Sequence, residues 1–193
     1  MRICTKRATG VKRAVKIIRK DLLTPKEKNR LFEEVRALSK LDHPSVVKLY
    51  EVYQDSKRFY VISDLYVGQK VLANLLARDV LNESDVIPLM QQLLSAIEYC
   101  HAKNLTHKNL RIDNLLLKEK DPEQLKVIDF GTAERDSRNQ NAPECDRSLT
   151  NLTELEQHEA AEKADIWNCG VILHILLTGK APTKYLNSML VFA

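Results

Sequence analysis

Glycine is scarce, five in 193 residues, and no segment is compositionally biased, which excludes collagen-like, mucin-like and plainly disordered chains. No internal repeat is present, so solenoids and propellers are excluded as well. Long apolar runs are missing too. The longest, 171–177, is broken by His174 and is far too short to span a bilayer, and the charged N-terminus lacks the apolar stretch of a secretory signal. The four cysteines, Cys4, Cys100, Cys145 and Cys169, form no CxxC pair and have no histidines at zinc-finger spacing; they read as reduced thiols. No DxDxDG loop occurs, so no EF-hand calcium site is expected in this chain. These absences together predict a soluble, cytoplasmic protein with no membrane partner.

What is present suits a globular protein: 44% hydrophobic and 29% charged residues at a net charge of +4, enough apolar matter for one large domain or two small lobes. Basic residues crowd the start (Arg2, Lys6, Arg7, Lys12, Arg13, Lys16, Arg19, Lys20) and acids dominate 144–165. A solvated basic face accounts for the former, and no nucleic-acid partner is expected.

The β-branched run 13–18 (Arg-Ala-Val-Lys-Ile-Ile) predicts a strand, preceded by a turn at 8–10 and another strand before it. Period-two alternation places Lys16 on one face with Ala14 and Ile18. A helix follows, with Thr24 as N-cap, Pro25 in its first turn and Leu31, Glu34, Leu38 and Leu41 at helical spacing. Glu34 interrupts that apolar stripe, either as an edge residue or as an inward carboxylate for a buried cation. Two apolar runs, 46–52 and 59–65, around polar 54–57 predict an antiparallel pair, and Gly68 marks a link into helical patterns. A long helix is expected from about 84 to 102, with Pro88 in its first turn, where proline costs least, and another over 165–178. Strand-rich first and helix-rich afterwards, the chain reads as two unequal lobes.

Within the second part stand Leu105-Thr106-His107-Lys108-Asn109-Leu110-Arg111-Ile112-Asp113-Asn114-Leu115-Leu116-Leu117 and, downstream, Val127-Ile128-Asp129-Phe130-Gly131. The first resembles, in altered form, the catalytic loop HRDLKPENLLL of protein kinases, and the second is an intact DFG. With the upstream AVK strand, a helix bearing Glu34, and Asp165-Ile166-Trp167 through Gly170 behind, the order of parts is that of a protein kinase catalytic domain. The run 41–52 and Gly170-Val171-Ile172-Leu173 are most similar to the calcium/calmodulin-dependent and calcium-dependent branch. The resemblance implies an α+β, bilobal kinase-like fold, with a partial β-rich N-lobe over 1–66 and a partial helical C-lobe over 67–193.

It also implies roles. Lys16 would hold the α- and β-phosphates of ATP, with Glu34 as its helix partner; Asp129 and Asn114 would bind Mg²⁺ through oxygen. Ser63 falls at the gatekeeper position, Asp64 and Tyr66 would offer backbone groups to adenine, and Ala14 and Leu116 would sandwich its ring.

The departures from the family pattern matter as much. Asn109 stands where an aspartate accepts the substrate proton; a neutral amide cannot take it, and losing a general base costs ~10² to 10⁴ in rate. Arg111 replaces the loop lysine near the γ-phosphate, Lys108 replaces an arginine without its bidentate fork, and Lys70 sits where a ribose-binding acid is expected. Ala142-Pro143-Glu144 spells APE but lies too far before Asp165, so Leu152-Thr153-Glu154 is the expected equivalent. None of the residues before AVK forms a GxGxxG loop, and the stretch after 170 has room for one helix; the Gly-rich loop and the last helices are therefore expected to be absent, leaving apolar surface exposed on helices 84–102 and 165–178. The implied function is a pseudokinase that binds ATP and magnesium, transfers phosphate weakly or not at all, and acts through a protein partner. The alternatives are an active serine/threonine kinase acting on protein substrates and a non-binding structural remnant.

Overall fold

The computed structural model describes residues 1–25, 28, 31, 35–36, 38–66, 68–71, 81–118, 121–129 and 154–182, with the backbone alone at 68–70, 121–123 and 154–158. Strands β1 (Arg2–Thr5), β2 (Lys12–Arg19), β3 (Leu49–Gln54) and β4 (Arg58–Asp64) form an antiparallel sheet in the order β1-β2-β4-β3. The register sets Ala14 opposite Ser63, Lys16 opposite Val61 and Ile18 opposite Phe59, so the face that carries Ile18 and Phe59 into the core also carries Lys16. Against it lie Leu31, Val35, Leu38 and Leu41, all buried, at the spacing that predicted a helix; positions 25, 28, 31, 35, 36 and 38 are helical.

A second antiparallel sheet joins β5 (Gly68–Lys70), β6 (Leu115–Lys118) and β7 (Asp121–Val127) in that order. The link expected at Gly68 leads to a helical residue at Val71, but it is itself a short strand. Gly68-Gln69-Lys70 has no intrinsic strand preference, but its backbone pairs with Leu116, Leu117 and Lys118, and that long-range partner decides its conformation. The loop before β3 is laced to β7: Val47 N–H donates to Val127 O at 3.0 Å, and Val127 N–H to Ser45 O at 2.8 Å.

Helix α1 (Glu83–His101) and helix α2 (Glu154–Thr178) pack on each other. Acids in the first turn of α1, Glu83 and Asp85, complement its dipole. Its C-terminus closes in a Schellman motif: Asn104 takes a left-handed φ of 54°, Asn104 N–H donates to His101 O (2.8 Å) and Leu105 N–H to Cys100 O (3.0 Å). That turn feeds the chain directly into residues 106–114. Helix α2 starts at Glu154, well ahead of the expected 165. One apolar cluster runs from Ile18 through α1 to Leu176, so both sheets and both helices share a core.

The apolar exposure expected on the helices is present. Ile87 and Leu94 on α1, and Ile166, Trp167, Leu173 and Leu177 on α2, are all exposed, Trp167 to 71%. Trp167 is the chain's single tryptophan, which gives a direct check. Its emission in native protein is expected at a wavelength typical of water-exposed indole, with nearly full accessibility to iodide and little further red shift in denaturant. Blue-shifted, iodide-protected emission would mean that another surface covers this face in solution. Among the described residues no helix is long and apolar enough to cross a membrane.

Candidate active site

A cleft of about 720 Å³, the open solvent at its mouth included, lies against β2, β4 and the segment that follows β4. Ala14, Lys16, Ser63, Asp64, Tyr66, Leu116 and Asp129 all line it. Seven of the positions singled out in the sequence therefore meet in one cavity, although they come from strands β2, β4 and β6 and two connecting segments. Met1, Leu38, Val47, Leu49, Val61, Leu65 and Ile128 complete the lining. The aliphatic members went unnoticed because an apolar residue facing a cleft has the same alternation as one facing a core. Val61, two residues before Ser63 on the same strand face, carried the only usable hint.

Lys16 Nζ donates to Asp129 Oδ1 at 3.1 Å, with 22% and 29% of the two side chains exposed. A cation and a carboxylate thus face each other at the edge of a largely apolar cleft. The carboxylate sits at a positive φ of 63°, a backbone state that non-glycine residues adopt at a cost of order 1–3 kcal/mol and that gathers at functional sites. Glu34, the expected helix partner of Lys16, lies outside the described residues, as do Phe130 and Gly131 of the DFG motif, Ala142-Pro143-Glu144, and Leu152-Thr153.

The loop 106–114 is built around buried polar groups. Asp165 of α2, completely buried, accepts from His107 N–H (2.7 Å) through Oδ2 and from Lys108 N–H (3.1 Å) through Oδ1. His101 Nε2 also lies 3.0 Å from Oδ2. Held this way, Lys108 adopts φ 63°. The buried His107 ring has one consistent tautomer: Nε2–H donates to Ile128 O (3.0 Å), and Nδ1 accepts from Asn109 N–H (3.3 Å). Asp165 was legible only as part of a motif; nothing local marks it as the acceptor that holds the loop.

Burial lowers the pKa of His107 from its ordinary 6.5, against a smaller opposing pull from Asp165. The unfolded chain therefore binds the proton first, and stability is lost as pH falls through 6.5 toward the folded-state value. Urea midpoints are expected to be flat above pH 7.5 and to decline between pH 6.5 and 5. In His107→Gln that decline should shrink. It should not vanish, because burial also lowers the pKa of His43. An unchanged pH slope in the variant would contradict the neutral, buried imidazole.

Asn114, 8% exposed, donates from Nδ2 to Asn109 O at 2.8 Å. This fixes its amide and leaves Oδ1 as an acceptor. Its carbonyl accepts from Ile128 N–H (2.9 Å), joining the loop to the residue before Asp129. Asn109 is tied through its main chain on both sides, and its side-chain amide makes no hydrogen bond to a described residue. Arg111 pairs with Asp113 at 3.1 Å, each about one-third exposed. The pair lies in the loop where the resemblance implies a charge near the γ-phosphate.

The protein kinase domain family model matches residues 1–190. The chain belongs to the protein kinase family. It is 35% identical over 178 residues to calcium-dependent protein kinase 4 of Plasmodium falciparum (isolate 3D7), covering 90% of this chain and 34% of that protein. It is 34% identical over 185 residues to calcium/calmodulin-dependent protein kinase type II of Caenorhabditis elegans, covering 94% of this chain and 26% of that protein. The chain thus spans about a third or less of these relatives' length. A crystal structure of Rad53 1-466 in complex with AMP-PNP superposes with a TM-score of 0.74 at 28% identity, over 93% of this chain and 44% of that one. The kinase-like α+β fold inferred from the motifs is therefore shown.

Proposed function

We propose that this kinase domain binds ATP with magnesium and transfers phosphate weakly or not at all, acting as a pseudokinase through a protein partner. The observation that carries the reading is the Lys16–Asp129 pair at the edge of a cleft lined by Ala14, Ser63, Asp64, Tyr66 and Leu116, combined with an uncharged residue, Asn109, at the base position. In this reading 1–66 forms one lobe and 67–193 the other, with the nucleotide between them. Ala14 and Leu116 cover the base, the backbone of Asp64 and Tyr66 meets its edge, and Lys16 neutralises phosphate charge, with Glu34 behind it.

The residues present fit magnesium. Among the described residues no cluster of three or more His, Cys, Asp or Glu could hold a metal alone, whereas Asn114 Oδ1 and an Asp129 carboxylate oxygen, completed by phosphate oxygens and water, match how this hard ion is bound. Magnesium would supply neutralisation of the phosphate charge. Asn109 offers an amide oxygen that can orient a hydroxyl but cannot take up its proton.

A second reading, an active serine/threonine kinase acting on protein substrates, is supported by two relatives that are named as protein kinases and by the retained loop scaffold. Thermal melting tests binding first. Saturating MgATP raises stability by RT ln(1 + [L]/Kd), about 2.7 kcal/mol at a hundredfold excess, and for a chain of this size that is expected to lift Tm by roughly 5–10 °C. Lys16→Met and Asp129→Asn should each abolish the lift. A cooperative melt indifferent to MgATP, or no cooperative melt, would favour the non-binding remnant.

A further inference from the structure

The segment Asp64–Tyr66, which forms one wall of the cleft, is pinned at both ends. At the far end Tyr66 Oη donates to Gln124 O on β7 at 3.2 Å. At the near end the pin is an arrangement of three side chains. The register of β3 against β4 slips between Leu49 and Glu51, so that Leu49 faces Ser63 and Glu51 faces Ile62. Tyr50 is the extra residue of a β-bulge, a device that re-aims a side chain. Its hydroxyl donates to Asp64 Oδ1 at 2.9 Å. Its ring lies 3.8 Å beneath the Arg13 guanidinium. Arg13, opposite Asp64 in the β2–β4 register, donates to the same Asp64 oxygen. Asp64 N–H meanwhile donates to Lys48 O at 2.9 Å.

Asp64 is the last residue of β4, where the chain leaves the sheet. A carboxylate held by a charged donor and a hydroxyl, with a cation–π contact stiffening the donor, fixes the backbone of that residue. It thereby fixes the direction of its carbonyl and of the Leu65–Tyr66 peptides that follow. Resting on the nucleotide reading above, we infer that Arg13 and Tyr50 are positioning residues that pre-organise the base-binding edge of the cleft through Asp64, leaving the phosphate end untouched. Burial and the Asp64 hydrogen bond raise the Tyr50 pKa, so the phenol remains a donor at neutral pH.

The test separates the two ends of the nucleotide. Calorimetric titrations of the full chain with adenosine, and separately with magnesium and inorganic tripolyphosphate, are made on wild type, Tyr50→Phe, Arg13→Ala and the double variant. Tyr50→Phe keeps the ring beneath Arg13 and removes only the hydroxyl. The expected result is adenosine binding weakened about threefold to tenfold in each single variant, the size of one net hydrogen bond. Tripolyphosphate affinity should be unchanged, and the double variant should be less than additive because both donors share one oxygen. Adenosine affinity unchanged in the variants, or adenosine and tripolyphosphate falling together with Tm, would assign the cluster to sheet stability alone and overturn the inference while the nucleotide reading stands. Wild-type protein without saturable adenosine binding overturns both.

Discussion

Asn109→Asp is expected to raise phosphoryl transfer to a hydroxyl acceptor by ~10² to 10⁴-fold, the usual worth of a general base and equivalent to roughly 3–5 kcal/mol of barrier. The substitution is close to isosteric, and the scaffold tolerates it for a visible reason. Asn109 is anchored by its main chain, N–H to His107 Nδ1 and carbonyl to Asn114 Nδ2, while its amide makes no bond to a described residue. The new carboxylate can therefore appear without unravelling the loop, and Tm should shift little. Nucleotide affinity should also hold, because Lys16, Asp129 and Asn114 are untouched. The measurement is radiolabelled transfer to a generic peptide with and without the substitution, alongside MgATP titration. Robust wild-type turnover that the substitution leaves unchanged would remove the pseudokinase reading and leave the active-kinase one. The loose transition state of phosphoryl transfer needs its base late, which places the low end of the range within reach.

Much of this arrangement was legible in the sequence, and the legible parts share a cause. Strand β2 announces itself through β-branched residues, and period-two alternation alone sets Ala14 and Lys16 on one face. The register then brings Ser63 opposite Ala14, joining two positions that the family resemblance had each linked to the base. Helix α1 is marked by apolar periodicity, with Val86, Met90, Leu93, Ile97 and Cys100 all buried as that spacing demands.

The illegible parts depend on partners distant in sequence. Gly68–Lys70 becomes a strand only because β6 lies beside it. The bulge at Tyr50 exists only in the pairing of β3 with β4, so neither Tyr50 nor Arg13 could be linked to Asp64 from spacing. The left-handed backbone at Lys108 likewise runs against local preference and is held from outside the loop.

The strongest of those outside constraints is Asp165, and its removal carries the largest expected loss of stability. Asp165, itself fully buried, satisfies the N–H groups of His107 and Lys108 with its two oxygens and faces His101 Nε2, whose side chain is 15% exposed. Asp165→Ala would leave buried donors without an acceptor at about 1–3 kcal/mol each, and it would empty space between α1 and α2. A total of roughly 3–5 kcal/mol is expected, a fall in Tm of about 6–20 °C for a chain of this length. Asp165→Asn is nearly as costly: one carboxylate oxygen becomes an NH₂ group, which sets a donor against a donor at either His107 or Lys108. The damage reaches function through geometry. Without Asp165 the left-handed turn at Lys108 has no reason to persist, and its relaxation shifts Asn109 and, through Asn109 O, the amide of Asn114. Hydrogen exchange at the His107 and Lys108 amides should therefore accelerate more than at α1, and MgATP stabilisation should weaken even at temperatures where the variant remains folded. Exchange at those two amides no faster than in wild type would show that the loop holds its shape without the helix that carries Asp165.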